Sequence, residues 1–211
     1  MDKEGVRRRI WSLLEERDLV AFPRPCYGRI PNFKGSERAA EKIRELDQFK
    51  QARCVFCAPD AVLKRVREIV LEERKVLAVA LPHIEGLVEI CRDRVHPCPG
   101  IFRATTIKGF KKYGRPLETP VDLFVQGSVA VDRFGNRLGK GRGYGDREYQ
   151  ILKSLGLLRE GTQVVTIVHE LQILDDLRAL MDERDVRVDY VITDSAILKT
   201  ARGSSWPASS S

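Results

Sequence analysis

The residues best suited to chemistry lie between positions 135 and 150, in the stretch "GNRLGKGRGYGDREYQ". Four glycines stand at alternate positions, with Lys140 and Arg142 between them and Asp146 directly after them. Glycines allow positive φ and close approach of a ligand to the backbone. Successive backbone N–H groups in such a loop can hold an anion, and a helix starting near Asp146 adds its N-terminal dipole. The segment therefore predicts a polyphosphate site.

Asp146 has a place in such a site that a simple phosphate cup does not require. A carboxylate among phosphates is well placed to hold Mg²⁺, which prefers oxygen ligands. The alternative is a Gly-rich turn in which Asp146 caps the following helix. Neither a G-x-x-x-x-G-K-[ST] nor a G-x-G-x-x-G motif occurs in the chain. Residue types alone leave both interpretations open.

The composition favours an anionic partner. The 211 residues are 43% hydrophobic and 32% charged, which is typical of a globular protein with a sizeable core. The formal net charge of +7 favours nucleotide phosphates, polyglutamates or nucleic acid. Aromatic residues make up only 7%, which weakens an RNA binder that works by stacking. A solvated Arg-rich surface is the alternative explanation of the charge.

The N-terminal "MDKEGVRRRIWSLLEERDL" has no apolar run behind its basic residues, unlike a signal peptide. No segment approaches the ~18 apolar residues that a membrane span needs. We therefore expect a cytoplasmic location and no membrane partner.

Five cysteines are present, an odd number. "CVFC" (Cys54 to Cys57) is half of a zinc pattern, which Cys91, His96 and Cys98 would complete. The same letters are also typical of a short buried strand, and the spacing favours the strand.

Apolar strands alternate with helices along most of the chain, which predicts an α/β protein with a mostly parallel sheet. Ligands in such sheets bind beyond the carboxyl ends of the strands, here after Pro82, Val131, His169 and Thr193. We expect a single domain over residues 1–200 and a disordered tail over 201–211. The predicted strands are Arg53–Cys57, Lys75–Pro82, Val121–Val131 (as one strand or two), 162–169 and 186–193. The predicted helices are Lys3–Arg17, Ser36–Lys50, Ala61–Glu73, Thr106–Tyr113, Asp146–Leu157 and Leu174–Glu183.

The run "VDLFVQGSVAVDRFGNRLGKGRGYGDREY" resembles the signature of 5-formyltetrahydrofolate cyclo-ligases, D-x-x-G-x-R-L-G-x-G-G-G-Y-Y-D-R. It is more similar still to a divergent branch, the methenyltetrahydrofolate synthetase domain-containing proteins. That branch shares "FPRP…RIPNFKG" (Phe22 to Gly35), "GSVAV", the "GKGxGY" form of the loop and "VVTIVH". The similarity in element order extends from about Lys3 to Leu198.

The resemblance implies a three-layer α/β/α fold, ATP and Mg²⁺ as cofactors, and a reduced folate or an analogue as substrate. The implied reaction is the ATP-driven closure of 5-formyltetrahydrofolate to 5,10-methenyltetrahydrofolate, with release of ADP and phosphate. The matched positions imply a metal-associated acid at Asp146 and catalytic roles for Arg142, Tyr144 and Arg147. The resemblance is compatible with both a monomer and a homodimer. The positions implied to bind the nucleotide are Lys3, Arg7, Arg137, Gly139, Lys140, Gly141, Gly143 and Tyr144.

The chain departs from the family pattern in its loop and in its folate-facing segment. The triple glycine is interrupted by Arg142, the second tyrosine is Gly145, and the proline of "PG" is Gln126. The "S-x-x-x-E-V-x-T" segment has no clear match after Cys57, where Asp60 is the nearest acid. The family positions that imply ATP binding are thus better matched in this chain than those that imply folate chemistry. The alternative function is a nucleotide- or RNA-binding module that keeps the fold and has lost the reaction.

Overall fold

The computed structural model describes residues 1–95 and 100–201. Within them, eleven strands and seven α-helices alternate, with short 3-10 turns between several of them. The strands are β1 (Cys54–Cys57), β2 (Val76–Ala80), β3 (Leu87–Ile90), β4 (Arg115–Pro116), β5 (Val121–Val125), β6 (Ala130–Asp132), β7 (Arg137–Leu138), β8 (Leu158–Ile167), β9 (Ile173–Leu174), β10 (Tyr190–Ile192) and β11 (Ile197–Lys199). The helices are α1 (Lys3–Glu16), α2 (Ser36–Glu41), α3 (Asp47–Gln51), α4 (Lys64–Glu72), α5 (Ile101–Ala104), α6 (Ile107–Tyr113) and α7 (Tyr144–Ser154).

The central sheet has the order β11-β10-β8-β5-β1-β2-β3-β4. Its five inner members, from β10 to β2, run parallel to their neighbours, and the outer strands pair antiparallel. Runs such as "CVFC" in β1 are buried along their whole length, because helices cover both faces of a parallel sheet. The prediction of a three-layer α/β/α fold with a mostly parallel sheet is confirmed.

The predicted strand from Val121 to Val131 is two strands in two different sheets. β5 lies in the central sheet, whereas β6 pairs with β7 and β9 in a small sheet of order β7-β6-β9. The chain changes sheet at Gly127, where an added Cβ would lie 2.6 Å from Ile30 Cγ2. This close approach requires a glycine at the crossing point.

Three helix predictions need correction. The segment predicted as a helix from Leu174 to Glu183 forms only the end of β9 and a 3-10 turn, Arg178–Leu180. The helix predicted from Ser36 is divided into α2, a 3-10 turn and α3, and Ser36 does not cap it, since its hydroxyl donates to Asn32 Oδ1 (2.8 Å). The apolar spacing did not reveal these breaks, because short turns in both segments bring apolar residues to the core as a helix would. Helix α7 begins at Tyr144, two residues earlier than predicted.

The zinc hypothesis finds no support in the described part of the chain. Cys54 and Cys57 are three residues apart on one strand, so their side chains point to opposite faces of the sheet. Both are free and buried, and no group of three or more potential metal-ligating side chains occurs among the residues the structure describes. His96, Cys98 and residues 202–211 of the predicted tail lie outside the described residues.

Candidate functional site

A cleft of about 850 Å³ opens at the carboxyl ends of β1, β2 and β5. The residues that follow these strands form its walls, together with the start of α1, part of the Pro-rich loop and the glycine loop, residues 139–143. The site therefore lies at the edge of the sheet where ligands of open α/β folds bind.

The loops after β8 and β10, which were also predicted as candidates, do not contribute to the cleft. Residues of the 33–38 segment cover them. The ring of Phe33 packs edge-on against His169, with 5.7 Å between the ring centroids. The Arg38 guanidinium forms an ion pair with Asp194. These two contacts occupy the carboxyl ends of β8 and β10.

The glycine loop leads directly into α7. Gly141 (φ +99°) and Gly143 (φ +63°) adopt left-handed conformations, which favour glycine. Gly143 is the residue before the helix, and no side chain in the described part of the chain caps the helix start. The first N–H groups of α7 therefore have no side-chain partner of the usual capping kind, as an anion site at a helix N-terminus requires. Asp146 lies inside the first turn of α7, so the alternative in which it caps the helix is wrong.

Arg137 and Asp146 form a partly buried ion pair, in which the side chain of Arg137 is 3% exposed and that of Asp146 is 21% exposed. Arg137 Nη2 donates to Asp146 Oδ1 (2.8 Å), and its Nη1 donates to the carbonyl of Gly127 (2.9 Å). Asp146 Oδ1 also accepts from the backbone N–H of Val186 (3.0 Å). Among the described residues, Asp146 Oδ2 and Arg137 Nε have no hydrogen-bond partner.

Most of the cationic side chains in the cleft have partners. Lys3 Nζ donates to Asp185 (2.7 Å) and Asp182 (3.1 Å). Burial alone would lower the pKa of Lys3, but these two carboxylates outweigh it and raise the pKa above its usual value. Lys140 Nζ donates to Asp60 Oδ1 (3.1 Å).

Two arginines differ from these lysines. Arg7 Nε donates to the carbonyl of Gly139 (2.7 Å), so α1 holds the start of the glycine loop. Arg142 lines the cleft and has no ion-pair or hydrogen-bond partner in the described part of the chain. Its charge is therefore available to a ligand.

Tyr144 lies on the cleft wall, with its hydroxyl 3.2 Å from His83 Nδ1. Arg147 packs its guanidinium over the Tyr144 ring, 5.4 Å from the centroid, and does not line the cleft. The structure thus brings every predicted site residue except Arg147 to one cleft. These residues are Lys3, Arg7, Arg137, Gly139, Lys140, Gly141, Arg142, Gly143, Tyr144 and Asp146.

Sequence reasoning missed two polar residues of the cleft floor as site residues. Gln126 and Glu148 are 1% and 5% exposed, and both line the cleft. Burial raises the pKa of Glu148 to about 8, and the negative charge of Asp60 acts in the same direction. The available signal was the helical spacing of Gly145, Glu148 and Leu152, which places an acid on the inward face of α7.

The fold and the cleft define an α/β protein in which a glycine loop and the start of α7 line one cleft. The sequence profile of the 5-formyltetrahydrofolate cyclo-ligase family matches residues 1–194. The chain belongs to this family.

Curated relatives fall into two groups. The chain is 41% identical over 210 residues to the methenyltetrahydrofolate synthase domain-containing protein of Bos taurus, covering 95% of this chain and 54% of that protein. For the Homo sapiens protein of the same name the identity is 39%, with the same coverage. It is 26% identical over 171 residues to the mitochondrial 5-formyltetrahydrofolate cyclo-ligase of Arabidopsis thaliana, covering 76% of this chain and 58% of that protein. The chain thus spans about half the length of the curated relatives it matches.

Two solved structures share the fold. The 5,10-methenyltetrahydrofolate synthetase of Aquifex aeolicus superposes with a TM-score of 0.58 at 21% identity, covering 99% of this chain and 98% of that one. The Mycoplasma pneumoniae synthetase superposes with a TM-score of 0.52 at 17% identity, covering 92% and 99%. Across the part of the chain that the structure describes, helices are too short or too polar to cross a membrane.

Proposed function

We propose that the chain catalyses an ATP- and Mg²⁺-dependent cyclo-ligase reaction on 5-formyltetrahydrofolate or a closely related formyl-folate. The products are 5,10-methenyltetrahydrofolate, ADP and phosphate. One observation carries the proposal. The glycine loop and the uncapped start of α7 face the same cleft as Lys3, Arg7, Lys140 and Arg142. Membership of the cyclo-ligase family supports the reaction class.

The residues that line the cleft fit a nucleoside triphosphate. Gly143 has open space where a Cβ would stand, with no heavy atom within 4 Å. A phosphate group can therefore approach the backbone of the loop. Arg7 and Arg142 both line the cleft and supply guanidinium donors, and such donors match phosphate oxygens. We propose that Lys3 and Lys140 exchange their aspartate partners for phosphate when nucleotide binds.

The cleft also provides a place for a nucleotide-bound magnesium ion. Mg²⁺ is usually bound through one or two carboxylates and the phosphates of the substrate. Asp146 Oδ1 is engaged by Arg137 and Val186, and Oδ2 has no hydrogen-bond partner among the described residues. We propose that this oxygen holds the ion, which would neutralise phosphate charge when bound.

The chain's contribution to the reaction is positioning. When bound, ATP supplies the phosphoryl group that converts the poorly reactive formyl oxygen into a leaving group. The cleft volume of about 850 Å³ lies within the range of small-molecule sites. Arg142 lies within the glycine loop and Tyr144 directly follows it, and both line the cleft, where they would orient the reacting groups and stabilise phosphoryl charge. Arg147, packed on the Tyr144 ring, supports the orientation of that tyrosine.

A coupled assay tests the proposal. The protein is mixed with 5-formyltetrahydrofolate and Mg-ATP, and the expected result is equal formation of ADP and the methenyl chromophore. A characterised cyclo-ligase is run in parallel under the same conditions. If the characterised enzyme forms these products and this protein does not, the proposed activity on 5-formyltetrahydrofolate is wrong.

A second candidate function is RNA binding by a chain that has lost the reaction. The observation that favours it is the exposed basic surface of α6, formed by Lys108, Lys111 and Lys112, with Lys112 Nζ 5.2 Å from the centroid of the Tyr113 ring. Salt-sensitive retention of RNA is expected in that case, since phosphate contacts release counterions. Absence of retention at low salt excludes it. The cytoplasmic location remains a prediction for this chain.

A further inference from the structure

The floor of the cleft carries an amide without a partner. Gln126 follows β5 and is 1% exposed, and neither its Oε1 nor its Nε2 has a hydrogen-bond partner among the described residues. An unsatisfied buried polar group costs about 1–3 kcal/mol, so folded proteins retain few of them. Because Gln126 lines the cleft, a bound ligand is the direct way to satisfy both atoms.

Gly145 provides the space that this amide occupies. A Cβ at position 145 would lie 2.8 Å from Gln126 Oε1 and 3.2 Å from Arg137 Nη2. Unlike Gly141 and Gly143, Gly145 does not have a positive φ, so the backbone does not require a glycine there. The steric reason for Gly145 is therefore its approach to Gln126 and Arg137. Two of the departures from the family signature, Gln126 and Gly145, therefore form one local arrangement.

Glu148 extends the same floor. It lies three residues after Gly145 on α7, so the two residues share a helix face. Glu148 is 5% exposed and lines the cleft, and its carboxyl group forms no hydrogen bond with any described residue. Arg137 Nε, also buried and without a partner among the described residues, lies in the same region of the cleft.

The floor and the glycine loop differ in charge. The loop carries the cations and the helix start, which suit phosphate. The floor carries the neutral Gln126 amide, the Glu148 carboxyl and the Asp60 carboxylate, none of which is a cation that would attract a phosphate. An amide presents one N–H donor and one carbonyl acceptor side by side in one plane. A planar group with an adjacent acceptor and donor pairs with both at once, as glutamine does with a base edge.

We infer that Gln126 and Glu148 form a subsite for the heterocyclic end of the substrate, through a lactam edge that presents an N–H donor beside a carbonyl acceptor. This inference deepens the proposed function and rests on it, since it assigns the folate ring to the floor and the nucleotide phosphates to the glycine loop. Gln126 and Glu148 are thus specificity-determining residues, and Gly145 is a positioning residue for the Gln126 amide.

Equilibrium binding tests the subsite without any turnover. The probes are folic acid, which carries the lactam ring but no formyl group, ADP, and inorganic tripolyphosphate. Gln126→Leu removes both polar atoms at similar size, and we expect it to weaken folic acid binding by about ten- to hundredfold. Its affinities for ADP and tripolyphosphate should stay unchanged. Gly145→Ala should also weaken folic acid binding, because the added methyl group displaces the amide.

Gln126→Asn is the matched variant, since it retains a shorter amide and should lose less affinity than Gln126→Leu. Thermal unfolding shows which variants are folded, and if the leucine variant is not, the asparagine and Gly145→Ala variants decide. The inference is overturned if folic acid does not bind the wild type, if its affinity is unchanged in the variants, or if ADP affinity falls instead. The last outcome would assign the floor to the nucleotide base.

The turnover assay keeps the two proposals separate. Folic acid binding that depends on Gln126, in a protein without turnover, supports the subsite and removes the proposed reaction. Turnover in a protein whose folic acid binding does not depend on Gln126 supports the proposed reaction and removes the subsite.

Discussion

Arg137 and Asp146 are joined by a 2.8 Å hydrogen bond in which a guanidinium that is 3% exposed meets a carboxylate at the start of α7. Arg137 also binds the carbonyl of Gly127, ten residues earlier in the chain. The pair therefore connects the crossing between the two sheets to the helix that follows the glycine loop. Asp146 has a structural role in addition to the metal role proposed for it.

We expect Asp146→Asn to lower the free energy of unfolding by about 3 kcal/mol, because Arg137 would remain buried without its counter-charge. Urea unfolding followed by circular dichroism measures the change. Asp47→Asn is the matched control, since Asp47 is exposed and its one ion pair among the described residues is with Lys50, and its cost should stay below about 1 kcal/mol. Equal stability losses in the two variants would contradict a structural role of the pair.

The metal role of Asp146 predicts a separate effect on nucleotide binding. In the wild type we expect Mg²⁺ to strengthen ADP binding, and in folded Asp146→Asn this strengthening should largely disappear, because an amide oxygen is a weaker ligand for a hard cation. Calorimetric titration of ADP with and without Mg²⁺ gives the ratio of affinities. A ratio that is the same in both proteins would show that Asp146 does not hold the ion.

Arg7 is expected to act on the nucleotide both by charge and through its hydrogen bond to the Gly139 carbonyl. Arg7→Ala should weaken Mg-ADP binding by about tenfold, in line with the loss of one charge-assisted hydrogen bond. Arg9→Ala is the control, since Arg9 is exposed on the same helix and does not line the cleft. Similar losses in the two variants would indicate a general effect of net charge.

Arg142 interrupts the triple glycine of the family signature and has no partner among the described residues. We expect Arg142→Gly to weaken Mg-ATP binding about three- to tenfold while leaving the melting temperature unchanged, because the side chain contributes charge to a ligand and no internal contact. Titration of Mg-ATP and a thermal melt measure the two quantities. Tighter binding in the variant would mean that Arg142 obstructs the phosphate site.

Glu89 provides a pH-dependent test of the antiparallel edge of the sheet. Burial alone would raise its pKa, but hydrogen bonds from Thr119, Arg115 and Glu118 outweigh burial and lower the pKa below its usual 4.5. The native state thus binds the proton less readily than the unfolded state. The resulting stability is present above about pH 4.5 and is lost as the pH falls through the native pKa.

We therefore expect Glu89→Gln to be about 2 kcal/mol less stable than the wild type near pH 7. The difference should narrow as the pH falls from about 5 towards 3. Urea unfolding at several pH values measures it, and a difference that is constant across this range would contradict the assigned role of the carboxylate.

Several features of the fold and the site followed directly from the sequence. The apolar runs of β1, β2, β5 and β8 marked the parallel sheet, because strands buried on both faces need no polar residues. Alternate glycines beside Lys140 and Arg142 predicted the position of the glycine loop in the cleft, because few functions need a backbone so free of side chains. The short strands β3, β4 and β11 were not found, since they pair antiparallel at the sheet edges and have no distinct apolar period.

The sequence by itself determined the fold class, the position of the glycine loop and the kinds of charge that accompany it, because these depend on local composition and spacing. Only the tertiary structure decided which strand ends form the cleft, since Phe33 and Arg38 cover the carboxyl ends of β8 and β10 from a distant segment. It also decided that Asp146 pairs with Arg137 and that Gly145 faces Gln126. Such relationships depend on packing between elements far apart in the chain, which no local pattern records.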